Sequence, residues 1–110
     1  MDYNKERAIH PGEILREQFL VPRKISQAEL ARGMKVSVKR INEICQGRRG
    51  ITLDTAYRLE IYLNLGKGGT ESWMNLQHNY EKRCWKNYWE NEARLVKKQI
   101  QPRKEEKAYL

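Results

Sequence analysis

Two serines eleven positions apart, Ser26 and Ser37, each stand directly before a short run with helical apolar spacing, and that pair constrains the chain more than any other feature. Ser26 is followed three residues later by Glu29, the pattern of a capping box: the hydroxyl satisfies one orphan amide of the first turn and the carboxylate reaches back to another. A helix over about Gln27 to Arg32 follows, with Ala28, Leu30, Ala31 and Met34 available to a core. After an interruption at residues 33–36, Ser37 caps a second helix whose Ile41, Ile44 and Cys45 form one apolar face and which Gly47 stops. Nothing alternates with period two over a stretch long enough to form a strand, so the chain is expected to be all-α.

The flanking segments read the same way. Ile14, Leu15, Gln18 and Phe19 place a first helix after His10-Pro11-Gly12, with Pro22 as its stop. Thr52 opens a fourth helix, lined by Leu53, Ala56, Leu59 and Leu63 and ending at Gly66. Lys67-Gly68-Gly69 is a linker, and from Thr70 a long pattern carries Trp73, Leu76 and Tyr80 on one core-forming face. It continues past Trp85, Tyr88 and Trp89 to about Ile100, before Pro102. The expected organisation is an N-terminal arm (1–9), a five-helix domain (10–82) and a C-terminal helical extension with a basic tail (83–110).

Charge points to the partner. In 110 residues, 22 Lys and Arg stand against 14 Asp and Glu, a net +8, and the excess is confined to residues 26–50 and 81–110. A polyanion fits this balance better than an acidic protein or a neutral metabolite. The second block reads first as a solvated terminal helix. The first coincides with two short helices joined by about four residues, the second polar and capped, which is the sequence form of a helix-turn-helix. Leu30, Ala31 and Met34 hold one helix of the pair, and Val36, Ile41 and Ile44 pin the other. Ser37, Val38, Lys39, Asn42, Glu43 and Gln46 then face outward, with chemistries suited to base edges and phosphates. Arg48 and Arg49 form a basic loop placed for phosphate contact. Glu43 is balanced between accepting from a cytosine amino group and excluding wrong sequences.

Other chemistries find little support. Cys45 and Cys84 are too few and too far apart for a disulfide framework, and with His10 and His78 they offer no metal-ligand spacing, so neither metal nor cofactor is expected. There is no nucleophile elbow, no Gly-rich phosphate loop and no defensible acid pair, so no enzyme is expected. No apolar run suits a signal peptide or a membrane span, and a reducing cytoplasm is the expected location. Trp85, Tyr88 and Trp89 are more large rings than so small a domain can bury, which marks them as an interface with a second copy or another protein.

The segment SQAELARGMKVSVKRINEICQGRRGIT resembles the phage-repressor type of helix-turn-helix, and with HPGEILREQFL before it and TESWMNLQHNYE after it the chain resembles the HigA family of antitoxins over about residues 9–82. The resemblance implies an all-helical domain that dimerises, binds operator DNA, represses its own operon and neutralises an RNA-cleaving toxin of the HigB kind. By position, Gln27 matches a glutamine that contacts phosphate from a helix N-terminus, Ser37 to Gln46 match the recognition helix, and Arg48 and Arg49 match the basic loop with its charge doubled. Lys35 replaces the glycine usual in the turn, leaving two alternatives: a left-handed lysine, or a turn in which Gly33 takes up the strain. Gly69-Thr70 stands where Ser-Pro is usual. The rival readings are a stand-alone helix-turn-helix regulator without a toxin, a protein-binding antidote without DNA affinity, and an RNA-binding protein.

Overall fold

A computed structural model describes residues 7–105 and 107–109. Of the expected arm, residues 1–6 lie outside the described residues. The order of elements is α1 (residues 11–23), α2 (Gln27–Met34), α3 (Val38–Cys45), α4 (Leu53–Tyr62), α5 (Gly69–Asn91) and α6 (Ala93–Gln99), with no strand among the described residues. The all-α expectation holds. The caps act as the sequence implies: Ser26 Oγ accepts from Glu29 N at 3.0 Å, Ser37 Oγ from Arg40 N at 3.1 Å and Thr52 Oγ1 from Thr55 N at 3.4 Å.

The core joins α1 to α5. Leu15, Leu20, Leu30, Ala31, Met34, Ile41, Ile44, Cys45, Ile51, Ala56, Leu59 and Trp73 form one buried cluster, and Phe19 meets the Trp73 ring at 5.3 Å. Two apolar positions expected inside are outside: Leu53 is 65% exposed and Ala28 is exposed. Both sit in the first turn of their helices, where the axis has not yet met its neighbours.

Pro22 does not stop α1. Residues Leu15–Leu20 wind as a wider π turn, in which Val21 N donates to Arg16 O, and the helix continues to Arg23 before Lys24 turns left-handed at φ 55°. The wide turn accommodates the proline ring, and Arg23 Nη1 donates to the Gln18 carbonyl at 3.1 Å, the carbonyl that an ordinary residue 22 would have used.

Gly33 likewise lies inside α2, which runs to Met34 rather than ending at Arg32. A methyl group on Gly33 would stand 2.0 Å from a Tyr62 ring carbon, so glycine is needed there for the crossing of α2 over α4. The left-handed residue of the turn is Lys35, at φ 60° and ψ 42°. Replacing Lys35 by Gly should therefore raise stability by about 1 kcal/mol in equilibrium unfolding; an unchanged or lower midpoint would show that the lysine side chain compensates for its backbone.

α5 begins at Gly69, one residue before the expected start, after Gly68 at φ 98°. Its 23 residues pass without a break through the boundary expected between residues 82 and 83, so the extension is continuous with the domain. The helix breaks at Glu92, beside which Asn91 Nδ2 donates to the Asn87 carbonyl at 2.8 Å. α6 then resumes as far as Gln99.

Candidate nucleic-acid interface

α3 stands on the rest of the domain by Ile41 and Ile44, both fully buried, and by Cys45, whose thiol burial pushes up toward the neutral form. Ser37, Val38, Lys39, Gln46, Arg48 and Arg49 are exposed, while Asn42 and Glu43 are half-buried on the same helix and Gln27 is half-buried at the start of α2. The nine candidate DNA-binding residues thus lie on or at the ends of α3, in the loop after it and at the start of α2, and several touch. Asn42 Nδ2 donates to Gln27 Oε1 at 3.1 Å, tying the middle of α3 to the first turn of α2. One shared bond leaves the Gln27 amide nitrogen and the Asn42 amide oxygen for other partners.

The basic loop is folded back onto the helix. Arg49 pairs with Glu43 at 2.9 Å, and the Arg48 guanidinium hydrogen-bonds Gln46. Glu43 therefore acts on a cation before it meets any base. Exposed pairs of this kind are worth little in stability; what they do here is orient two long side chains that would otherwise sample many rotamers.

Three supports of this surface escaped sequence reasoning. Arg40 on α3 pairs with Asp54 at 3.2 Å, Asp54 pairs with Arg58 at 3.0 Å, and Arg58 Nη1 donates to the Met34 carbonyl in the turn at 2.8 Å. The Arg58 hydrogen bond, with help from Arg40, holds the Asp54 carboxyl below its ordinary range. The spacing of Asp54 and Arg58 was legible as an i,i+4 pair, but their link to Arg40 exists only in three dimensions. Second, Arg16 Nη1 donates to the Cys45 carbonyl at 2.9 Å, capping the last turn of α3. Third, His10 is buried beneath the loop at the N-terminus of α1, where its Nδ1 accepts from Gly12 N at 2.8 Å.

Away from this surface, Trp85 is 62%, Tyr88 38% and Trp89 61% exposed on the far part of α5, with Tyr88 edge-on to Trp89 at 6.0 Å. Tyr88, Trp89, Ala93, Arg94, Val96 and Lys97 line a groove of about 460 Å³ between α5 and α6. Among the described residues no cluster of three or more potential metal ligands occurs, and no helix is long and apolar enough to cross a membrane.

A short capped helix set across a preceding one, polar outward and followed by a basic loop, places the chain among helix-turn-helix proteins, and the helix-turn-helix family profile matches residues 15–67. The chain is 42% identical to a solved structure of the Pseudomonas aeruginosa antitoxin HigA with the higBA promoter, covering 87% of this chain and 98% of that one with a TM-score of 0.67. It is 32% identical over 98 residues to antitoxin HigA-1 of Vibrio cholerae, covering 88% of this chain and 89% of that protein. It is also 50% identical over 78 residues to the virulence-associated protein I of Dichelobacter nodosus, 71% of this chain and 69% of that one. The chain belongs to the HigA family of antitoxins.

Proposed function

We propose that the chain is the antitoxin of a toxin–antitoxin module, binding operator DNA through α3, repressing its own operon and neutralising an RNA-cleaving toxin of the HigB kind. The observation that carries this reading is the relative from Pseudomonas aeruginosa, alike in fold at 42% identity and solved with its promoter. The exposed polar face of α3 and the net +4 of residues 26–50 are the chemistry that such binding needs. The chain acts as a cytoplasmic binding protein rather than an enzyme, with an arm (1–9), a domain (10–82) and an extension (83–110) that share the continuous helix α5 across residues 82 and 83.

In this reading Lys39, Asn42 and Gln46 read base edges, with Ser37, Val38 and Glu43 beside them, while Gln27, Arg48 and Arg49 hold phosphates. Two subunits bind together, because one short recognition helix reads only a few base pairs. Trp85, Tyr88 and Trp89 form the dimer or toxin surface. The toxin meets α1 or α5, since a repressor that binds DNA with toxin attached cannot use α3 for both.

The test is binding to the chain's own promoter across a salt series, with footprinting and sedimentation. Asn42→Ala or Gln46→Ala should relax sequence preference at about 1–3 kcal/mol for a bidentate contact, whereas Arg48→Ala and Arg49→Ala should each weaken all duplexes alike and flatten the salt slope by about one unit. Arginine variants that change the preferred sequence but not the slope would overturn this division. Trp85→Ala and Trp89→Ala should yield monomers or lose the toxin; a wild-type monomer protecting one asymmetric half-site would overturn the dimer. Co-purification with the product of the neighbouring gene separates the antitoxin from a stand-alone regulator.

A further inference from the structure

The His10 side chain lies where three elements meet, and each ring edge has a use. Nδ1 accepts from Gly12 N at 2.8 Å and so caps α1. The Arg49 backbone lies near enough to favour the protonated ring, and with Nδ1 an acceptor the proton of the neutral ring sits on Nε2. Gly47 packs over the ring, with room for a methyl group only at 3.8 Å, and Tyr80 of α5 meets it edge-on at 4.8 Å. One imidazole, in one tautomer, therefore fixes both the start of α1 and the path of the loop that carries Arg48 and Arg49.

We propose that His10 is a positioning residue for DNA binding that works only as the neutral imidazole, so that protonating it weakens operator affinity. This rests on the DNA-binding reading above. A proton on Nδ1 turns the acceptor into a donor facing the Gly12 N–H, two donors head to head, and the ring must move. The loop packed on the ring at Gly47 loses that support with it, and is left to re-form its register while binding phosphate. The charged neighbours are few. On α1, Glu13 favours the cation but is paired with Arg7 at 3.0 Å, and Arg16 stands in the same cleft. The loop contributes Arg48 and Arg49; α5 contributes Tyr80, whose hydroxyl bonds Cys84; α3 contributes the neutral Cys45 thiol. Burial dominates and holds the pKa of His10 below its ordinary value. A cleft of about 290 Å³, bounded by Arg7, Glu13, Arg16, Gln46 and Tyr80, gives protons access to the ring.

The sign follows. The unfolded chain, at the ordinary value of 6.5, takes up the proton before the folded one, so below that pH folding stability also declines; circular dichroism at pH 5.5 confirms that the measurements are made on folded protein. DNA phosphates would pull the other way, since any cation near them is favoured.

The experiment measures operator affinity of the full chain by fluorescence anisotropy at pH 7.5 and 5.5 and fixed ionic strength, for the wild type and His10→Asn. Asparagine keeps a cap acceptor and cannot titrate; His78 is common to both proteins. The wild type should lose about twofold or more in affinity at pH 5.5, and the variant should change less than half as much. Equal profiles, or a wild type that binds tighter in acid, would overturn the proposal. Should His10→Asn fail to fold, the amide resonances of Gly12 and residues 47–50 decide: they should move with the His10 titration, and static resonances would overturn it. Failure to bind the operator at every pH would instead remove the DNA-binding reading, and the same resonances would still test the link between ring and loop.

Discussion

Gly12→Ala should cost about 3 kcal/mol of stability and weaken operator binding as well. A methyl group at residue 12 would stand 1.7 Å from the Ile44 carbonyl oxygen and 2.6 Å from its carbon. Both are backbone atoms of α3, so no side chain can swing aside. The N-terminus of α1 would have to back away by about 1.5 Å to restore ordinary contact. That retreat also breaks the approach by which Arg16 caps the Cys45 carbonyl and His10 reaches the loop. Gly66→Ala is the control: its φ of 77° penalises any side chain, but nothing lies within 4 Å of the added methyl group, so it should cost about 1 kcal/mol. Equilibrium denaturation of both variants, with promoter binding at a temperature where both are folded, separates contact from backbone strain. A Gly12→Ala protein no less stable than Gly66→Ala would show that α1 and α3 are not in contact as described.

Trp73→Ala should be the most damaging single change in the core, at about 4 kcal/mol. Only 2% of the residue is exposed, and its ring lies against Phe19 of α1 while its own helix packs on α4. Small domains hold only about 5–15 kcal/mol in total, so much of the reserve would go in one step, and the root of α5 would loosen. Trp73→Phe should be far milder, within about 1.5 kcal/mol, because the indole Nε1 is buried with no hydrogen-bond partner among the described residues and its removal relieves an unsatisfied donor. Urea midpoints for the two variants decide the matter. A phenylalanine variant as damaged as the alanine one would show that the N–H has a partner worth keeping.

What was legible in the sequence was whatever depends on neighbours in the chain. Ser26, Ser37 and Thr52 announce helix starts because a cap acts over three residues, and Leu30, Ile41, Ile44, Leu59 and Trp73 announce the core because helical period is local. The outward position of Lys39 and Gln46 follows from the same period, and that of Arg48 and Arg49 from the loop that Gly47 opens. Gly33 and Pro22 misled for one reason: each reads as a breaker, yet Gly33 exists to admit the Tyr62 ring, and Pro22 is carried by a π turn whose freed carbonyl Arg23 satisfies. Neither compensation can be seen without knowing what lies alongside. His10, Arg16, Arg40 and Arg58 were missed as supports because a histidine or arginine reads as surface charge until its partner is placed: the Cys45 carbonyl for Arg16, the Met34 carbonyl for Arg58, the Asp54 carboxylate for Arg40 and the loop at Gly47 for His10. Lys35 is a middle case, since the sequence identified the turn and only the backbone angle could assign the left-handed residue.

The reach of α5 sets a mechanical condition on how two copies engage one operator. Its 23 residues span about 35 Å, and the molecule measures 56 Å along its longest axis against 31 and 26 Å across. In a dimer joined at the aromatic end, the helix is a lever with its pivot at Trp85 to Trp89 and its load at the recognition helix. A rotation of about 7° at that pivot moves the far end, about 27 Å away, by about 3 Å, close to the rise of one base pair. The gearing between subunits, as much as any side chain that touches a base, then fixes the half-site separation that the protein accepts.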